Sequence, residues 1–284
     1  MAAHGARFHV AELGEGPLVL LLHDFPQFWW AWRAQLVALA SAGYRTVAMD
    51  LRGYGASDKP PRGYDTPTSA ADVAAVVRAL GERDAVVVGL GIGGRTAWAL
   101  PSLHPEQVRG VVAVGAGHPL LTRHVLRDRL GERTGLAATR TALARQLPAL
   151  PERSLVHGDG VARVLRERSG PGWPAEEDVA RYREAVRVPF VAHSALEYHR
   201  WIARSAVRAD GRRFAAALRD GTDVPVLQVR GALDPTVSRA TLEAGARFAL
   251  GPHRLEEVPG VGHYVPEEAP ARLASLLAGW LARW

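Results

Sequence analysis

The run Val86-Val87-Val88-Gly89-Leu90-Gly91-Ile92-Gly93-Gly94 constrains this chain more than any other. An apolar, β-branched strand enters a tight glycine turn, and the turn opens into a helix reading Arg95 to His104. A strand, turn and helix in this order lift the side chain at the apex of the turn above a sheet. The apex residue here is Gly91, which has no side chain to present.

The surrounding pattern gives that unit a context. Short β-branched runs alternate with amphipathic stretches: Leu18 to Leu22, Trp30 to Ala42, Thr46 to Met49, Pro67 to Leu80, Ala85 to Val88, Arg95 to His104 and Val108 to Val114. Such alternation predicts a parallel sheet wound with helices, an α/β architecture. After Gly117-His118-Pro119 the pattern turns helical and Arg-rich, broken by Pro148, Pro151 and Gly170-Pro171-Gly172-Trp173-Pro174. Strand character returns with Val224 to Arg230 and Arg254 to Val258, and a last helix is expected from Glu267 to Trp284. The expected organisation is a core from residues 1–118 and 222–284, with 119–221 as a helical cap inserted between them.

Composition excludes several classes of protein. The chain has 284 residues, 48% of them hydrophobic, which suits one sizeable core with a modest insertion. With no cysteine there is no disulfide framework, thiolate metal site or Cys nucleophile, and neither a metal nor a cofactor is expected. Met1 to Glu12 lacks the apolar stretch of a secretory signal, and no apolar run approaches ~18 residues, so no membrane partner and a cytoplasmic location are expected. The net charge of +6 is carried almost wholly by arginines spread along the chain, Lys59 being the only lysine. Without a basic stripe interleaved with aromatics, nucleic acid is not an expected partner.

Chemistry-bearing motifs fall at the carboxyl ends of the expected strands, where open α/β sheets bind ligands. They are Leu22-His23-Asp24-Phe25-Pro26, then Asp50-Leu51-Arg52-Gly53-Tyr54-Gly55-Ala56-Ser57-Asp58-Lys59-Pro60, then the Gly91 turn. The last pair is Gly231-Ala232-Leu233-Asp234 with Gly260-Val261-Gly262-His263. Their order and content resemble the epoxide hydrolase and haloalkane dehalogenase branch of the α/β-hydrolase superfamily, over nearly the whole chain. The D-L-R-G-Y-G-x-S-D-K-P string and the aromatic run from His23 to Arg33 are similar to the epoxide hydrolase side in particular.

The resemblance implies that His263 is the general base and that Asp234 orients it. A loop histidine bonded to backbone and an Asp-Pro turn are the plainer readings of these residues. Relatives carry a nucleophilic Asp where this chain has Gly91, so the covalent ester route is closed at that position. They also carry H-G-x-P where this chain reads His23-Asp24-Phe25-Pro26, with an oxyanion hole that by analogy falls on the Phe25 and Ile92 amides. One Asp has become Gly and one Gly has become Asp, in loops that the fold brings over the same site. Asp24 is therefore expected to supply a carboxylate to the space at Gly91; the alternative is that it turns outward or caps the helix near Trp30.

The cap departs from the family as well. The segment Leu196-Glu197-Tyr198-His199-Arg200-Trp201 resembles the one that carries a substrate-polarising tyrosine, but His199 takes the place before the Arg, and the stretch around Gln146 has no tyrosine. Trp29, Gln146, Tyr198 and His199 are the expected substrate contacts, and the aromatic density around Phe25 suggests an apolar small-molecule substrate. The function expected is ring opening, cyclisation, elimination or addition on an epoxide or polycyclic metabolite. It would proceed by non-covalent acid/base catalysis through His263, Asp234 and Asp24. A ligand-binding pseudohydrolase and an ordinary epoxide hydrolase disabled at Gly91 are the alternatives. Arg52, Tyr54 and Asp58 read as scaffold.

Overall fold

A computed structural model describes residues 1–121 and 144–283 of the chain. The N-terminus makes a small antiparallel ribbon from β1 (Ala2–Ala3) and β2 (Ala6–Arg7). The main sheet contains β3 (Val10–Leu13), β4 (Leu18–Leu22), β5 (Arg45–Met49), β6 (Ala85–Leu90), β7 (Val108–Val114), β8 (Val226–Gly231) and β9 (His253–Val258). Its order is β3-β5-β4-β6-β7-β8-β9, with β3 antiparallel to β5 and the remaining pairs parallel. Both β4 and β6 are buried along their whole length, which accounts for their unbroken apolar sequences: helices cover both faces of a parallel sheet.

The helices among the described residues begin with α1 (Arg33–Ser41), α2 (Thr66–Ala79) and α3 (Ile92–Leu103). Between β7 and β8 lie α4 (Leu150–His157), α5 (Gly160–Arg168), α6 (Glu176–Arg187), α7 (Val191–Arg204) and α8 (Ala209–Ala217). The chain closes with α9 (Arg239–Gly245), α10 (Val265–Glu268) and α11 (Pro270–Leu281). None of these helices is long and apolar enough to cross a membrane. Residues 122–143 of the expected insertion, and Trp284, lie outside the described residues.

Local chemistry explains where elements start and stop. Helix α2 begins where the Asp65 carboxylate accepts the Thr68 amide at 2.8 Å, a side-chain cap with Pro67 in the first turn. The expected helix from Trp30 opens instead as a tight turn, Trp29–Trp32, before α1 takes over. The expected C-terminal helix is divided at Ala269 (φ −140°, ψ 60°), because Pro270 gives no amide and disfavours helical geometry in the residue before it. At β6 to α3, a Cβ on Gly89 would lie 2.1 Å from the Gly93 carbonyl carbon, so the helix packs on its own strand only because side chains are absent.

The helices between β7 and β8 pack on one another around Val161, Leu165, Val179, Tyr182 and Leu196. They are tied to the sheet side by buried polar bonds. Glu267 accepts hydrogen bonds from Gln27 (2.7 Å), Arg33 (2.6 Å) and the Tyr182 hydroxyl (2.7 Å). The Glu268 carboxylate receives the amides of Gly170 at 2.7 Å and Gly262 at 2.6 Å. The loop that carries His263 is thereby fastened to the end of α5.

Candidate active site

Asp24 stands where β4 leaves the sheet. The loop is fixed by His23, whose Nε2 accepts the Leu51 amide at 3.0 Å while its Nδ1–H donates to the Asp24 carbonyl at 2.9 Å. The Asp24 carboxylate is buried and points inward. Oδ1 accepts the Ile92 amide at 2.8 Å; Oδ2 lies 3.0 Å from His263 Nε2 and 3.6 Å from the Arg168 guanidinium. Ile92 is the first residue of α3, so the carboxylate sits on an unpaired amide at the positive end of a helix.

Gly91 makes room for this arrangement. It has φ +51°, and a Cβ placed on it would lie 2.2 Å from the Asp24 carboxyl carbon. The Asp24 carboxylate thus fills the space that a side chain at the apex of the turn would enter. The alternative in which Asp24 caps the helix near Trp30 does not occur; Asp50 Oδ1 takes the Trp29 amide there, at 2.8 Å.

His263 follows β9 on a glycine-flanked loop, with its amide bonded to the Arg168 carbonyl at 2.8 Å. Its ring is buried between two carboxylates: Nδ1 is 2.9 Å from Asp234 Oδ2, and Nε2 faces Asp24. Thr236 holds Asp234 in place, donating both its amide and its hydroxyl to Oδ1 at 2.7 Å. The Thr236 oxygen also lies 2.9 Å from His263 Nδ1.

The electrostatics follow from this geometry. Burial alone would make the imidazole harder to protonate, but the charges and hydrogen bonds of Asp234 and Asp24 outweigh it and push His263 up to about 9. Burial would also raise the Asp24 carboxyl. The His263 hydrogen bond and charge, with Arg168 and the Ile92 amide, instead carry it far below the usual carboxylate range. Asp234 is lowered too: burial opposes ionisation there, and the His263 charge and the Thr236 bonds overcome it. At neutral pH the site therefore holds an imidazolium between two carboxylates.

A histidine raised in the fold stabilises it below the unfolded value, here 6.5, and that contribution disappears as pH climbs through about 9. Chemical denaturation of the wild type and His263→Gln at about pH 6 and about pH 10 checks this. The stability gap between the two proteins is expected to shrink at the higher pH; a constant gap would mean that folding leaves the His263 pKa unshifted, and a widening one that the folded ring is neutral.

These groups face a cavity of about 200 Å³ lined by Asp24, Gly91, Ile92, Arg168, His199 and His263, among others. Beside it is a second cavity, about 380 Å³, bounded by Phe25, Arg145, Leu147, Leu155 and Leu196. Phe25 and His199 stand against each other, edge to face, with ring centres 5.2 Å apart. His199 Nδ1–H donates to the Ala195 carbonyl at 3.0 Å, and burial beside Arg145 pushes the ring down to about 3, so it is neutral.

The other expected substrate contacts lie elsewhere. Trp29 is half-buried against Phe28 and Trp30, and lines neither cavity. Gln146 accepts a hydrogen bond from Arg204 at 2.9 Å and lines neither cavity. The Tyr198 hydroxyl donates to the Arg52 carbonyl at 3.1 Å, with its ring against Tyr54 and Tyr64. Arg168, Thr236 and Arg145 were not among the residues expected here, nor was His118, which also lines the smaller cavity. Only Thr236 left a trace in the sequence, as a hydroxyl two residues beyond Asp234 that can bond back to it.

Comparison with known proteins agrees with the fold. Residues 17–270 match the family model described as the alpha/beta hydrolase fold. The chain is 31% identical to the AB hydrolase superfamily protein YfhM of Bacillus subtilis, covering 98% of this chain and 95% of that protein. It is 30% identical to epoxide hydrolase A of Mycobacterium tuberculosis, again over 98% of this chain and 95% of the relative. Among solved structures, an epoxide hydrolase from an endophytic Streptomyces aligns with a TM-score of 0.85 at 27% identity, covering 99% of this chain and 94% of the other. Epoxide hydrolase A from Mycobacterium thermoresistibile gives 0.85 at 25% identity, with 99% and 97% covered. The chain belongs to the α/β-hydrolase superfamily, among relatives named epoxide hydrolases.

Proposed function

We propose that the protein opens an epoxide ring in a small molecule by paired proton transfer, without a covalent ester, using Asp24 and His263 with Asp234 as the residue that orients His263. The observation that carries this reading is the Asp24 carboxylate, held on the Ile92 amide and 3.0 Å from His263 Nε2 in the space beside Gly91. The names of the relatives support an epoxide as the substrate class.

Asp24 accepts a proton from water or from a hydroxyl of the substrate as that oxygen attacks an epoxide carbon. The carbon–oxygen bond of the ring breaks, and the departing oxygen takes the Nε2 proton of His263. The transfers reinforce each other: Asp24 is a weak base only while His263 is charged, so its basicity rises as that proton leaves. The proton on Asp24 then returns to His263 and restores the resting site. An imidazolium acid in this position makes a substrate-polarising tyrosine from the helical segment unnecessary.

Replacement of His263 by Gln tests whether the site turns substrate over. Turnover of an aryl epoxide is expected to fall by about 10²- to 10⁴-fold, with saturable binding retained. Saturable binding by the wild type without any turnover would make the protein a receptor instead.

A further inference from the structure

Among the described residues, one cation beside the larger cavity has no carboxylate at ion-pair distance. Asp24 and Asp234 are matched by the His263 imidazolium and by Arg168, whose guanidinium lies 3.6 Å from Asp24. Arg145 is left over. Its guanidinium stands 5.6 Å above the centre of the Phe25 ring, at the wall of the larger cavity, with no carboxylate at ion-pair distance among the described residues. Glu167 and Arg163 also border this cavity, but both are exposed, and their opposite charges offset each other. Burial and the nearby charge of Arg168 push Arg145 down to about 10, the response of a cation that lacks a counter-ion. A half-buried cation at the wall of an apolar cavity, with no carboxylate at ion-pair distance among the described residues, gains from a ligand that supplies an anionic acceptor.

We propose that the substrate carries an anionic oxygen group, a carboxylate, on an apolar body, and that Arg145 receives it. Phe25, Leu147, Leu155 and Leu196 supply apolar walls for that body, and Phe25 beneath the guanidinium leaves the open side of the fork to the anion. Arg145 is thus a specificity residue rather than a participant in the proton transfers. The inference rests on the ring-opening reading only for what then happens at Asp24; recognition of the anion stands on its own geometry.

The test is calorimetric binding of a series from benzoate to 4-phenylbutyrate, each compared with its neutral primary amide, on wild type, Arg145→Lys and Arg145→Met. At least one acid is expected to bind ten or more times as tightly as its amide, a preference of about 1.4 kcal/mol. Arg145→Lys should keep part of this preference and Arg145→Met should erase it. Because it removes an uncompensated cation, Arg145→Met should melt no lower than the wild type when free of ligand. The proposal is overturned if acids and amides bind alike, if no member of the series binds, if Arg145→Met keeps the preference, or if Arg145→Met melts well below wild type. Turnover is not read in any arm, so failure here is separable from failure of the ring-opening chemistry.

Discussion

Asp24→Asn is expected to lower turnover of an aryl epoxide by about a thousandfold. The Asn oxygen can still accept the Ile92 amide, which Asp24 Oδ1 takes at 2.8 Å, so the loop keeps its anchor. Two chemical capacities go at once. The atom that faces His263 no longer accepts a proton, and the imidazole loses one of the carboxylates that hold it charged. The base and the strength of the acid fail together, so kcat should drop at every pH, with its alkaline limb moved toward neutrality. Steady-state rates across the pH range measure both. Turnover of Asp24→Asn within a fewfold of wild type would remove Asp24 from the chemistry.

Substitution at Gly91 is expected to be damaging in a way that no simple restoration of an elbow nucleophile allows. Any Cβ there lands 2.2 Å from the Asp24 carboxyl carbon, in a backbone conformation with φ +51° that side chains resist. Gly91→Ala should cost about 1–3 kcal/mol of stability from strain and overpacking, and should cut turnover by displacing Asp24 from the Ile92 amide. Gly91→Asp adds a second carboxylate to the same space and should be no better. Pairing Gly91→Asp with Asp24→Gly relieves the collision, so the double variant should be more stable than Gly91→Asp alone, a non-additivity that denaturant melts report directly. Vigorous epoxide hydrolysis by Gly91→Asp on its own would show instead an ordinary enzyme lacking only its nucleophile.

Much of this site was legible because its residues follow strands. Asp24 and Gly91 come just after runs of buried apolar residues, Asp234 and His263 lie in the loops that follow β8 and β9, and a parallel sheet delivers such positions to one edge. Gly91 and Asp24 lie on two loops over one site and are complementary there, since a Cβ at the one would collide with the carboxylate of the other. The contribution of the helical segment was harder to read. Arg145 and Arg168 belong to an arginine-rich stretch in which neither spacing nor composition separates a cation that faces the site from a solvated one. Tyr198 and His199 are adjacent on α7, but one step along a helix turns a side chain by about 100°, so Tyr198 reaches the Arg52 carbonyl while His199 lines the cavity. Trp29 belonged to an aromatic cluster whose rings pack largely on one another, and the expectation of contact with substrate mistook packing for a pocket wall.

The central claim is that Asp24 fills the space beside Gly91 and holds His263 charged. Nitrogen-detected NMR of the His263 ring, recorded as a pH titration in wild type and Asp24→Asn, tests it without any substrate. Both ring nitrogens are expected to stay protonated in the wild type until the pH reaches about 9, and the titration should move toward neutrality in Asp24→Asn. A neutral imidazole at pH 7 in the wild type, or the same titration in both proteins, would contradict it.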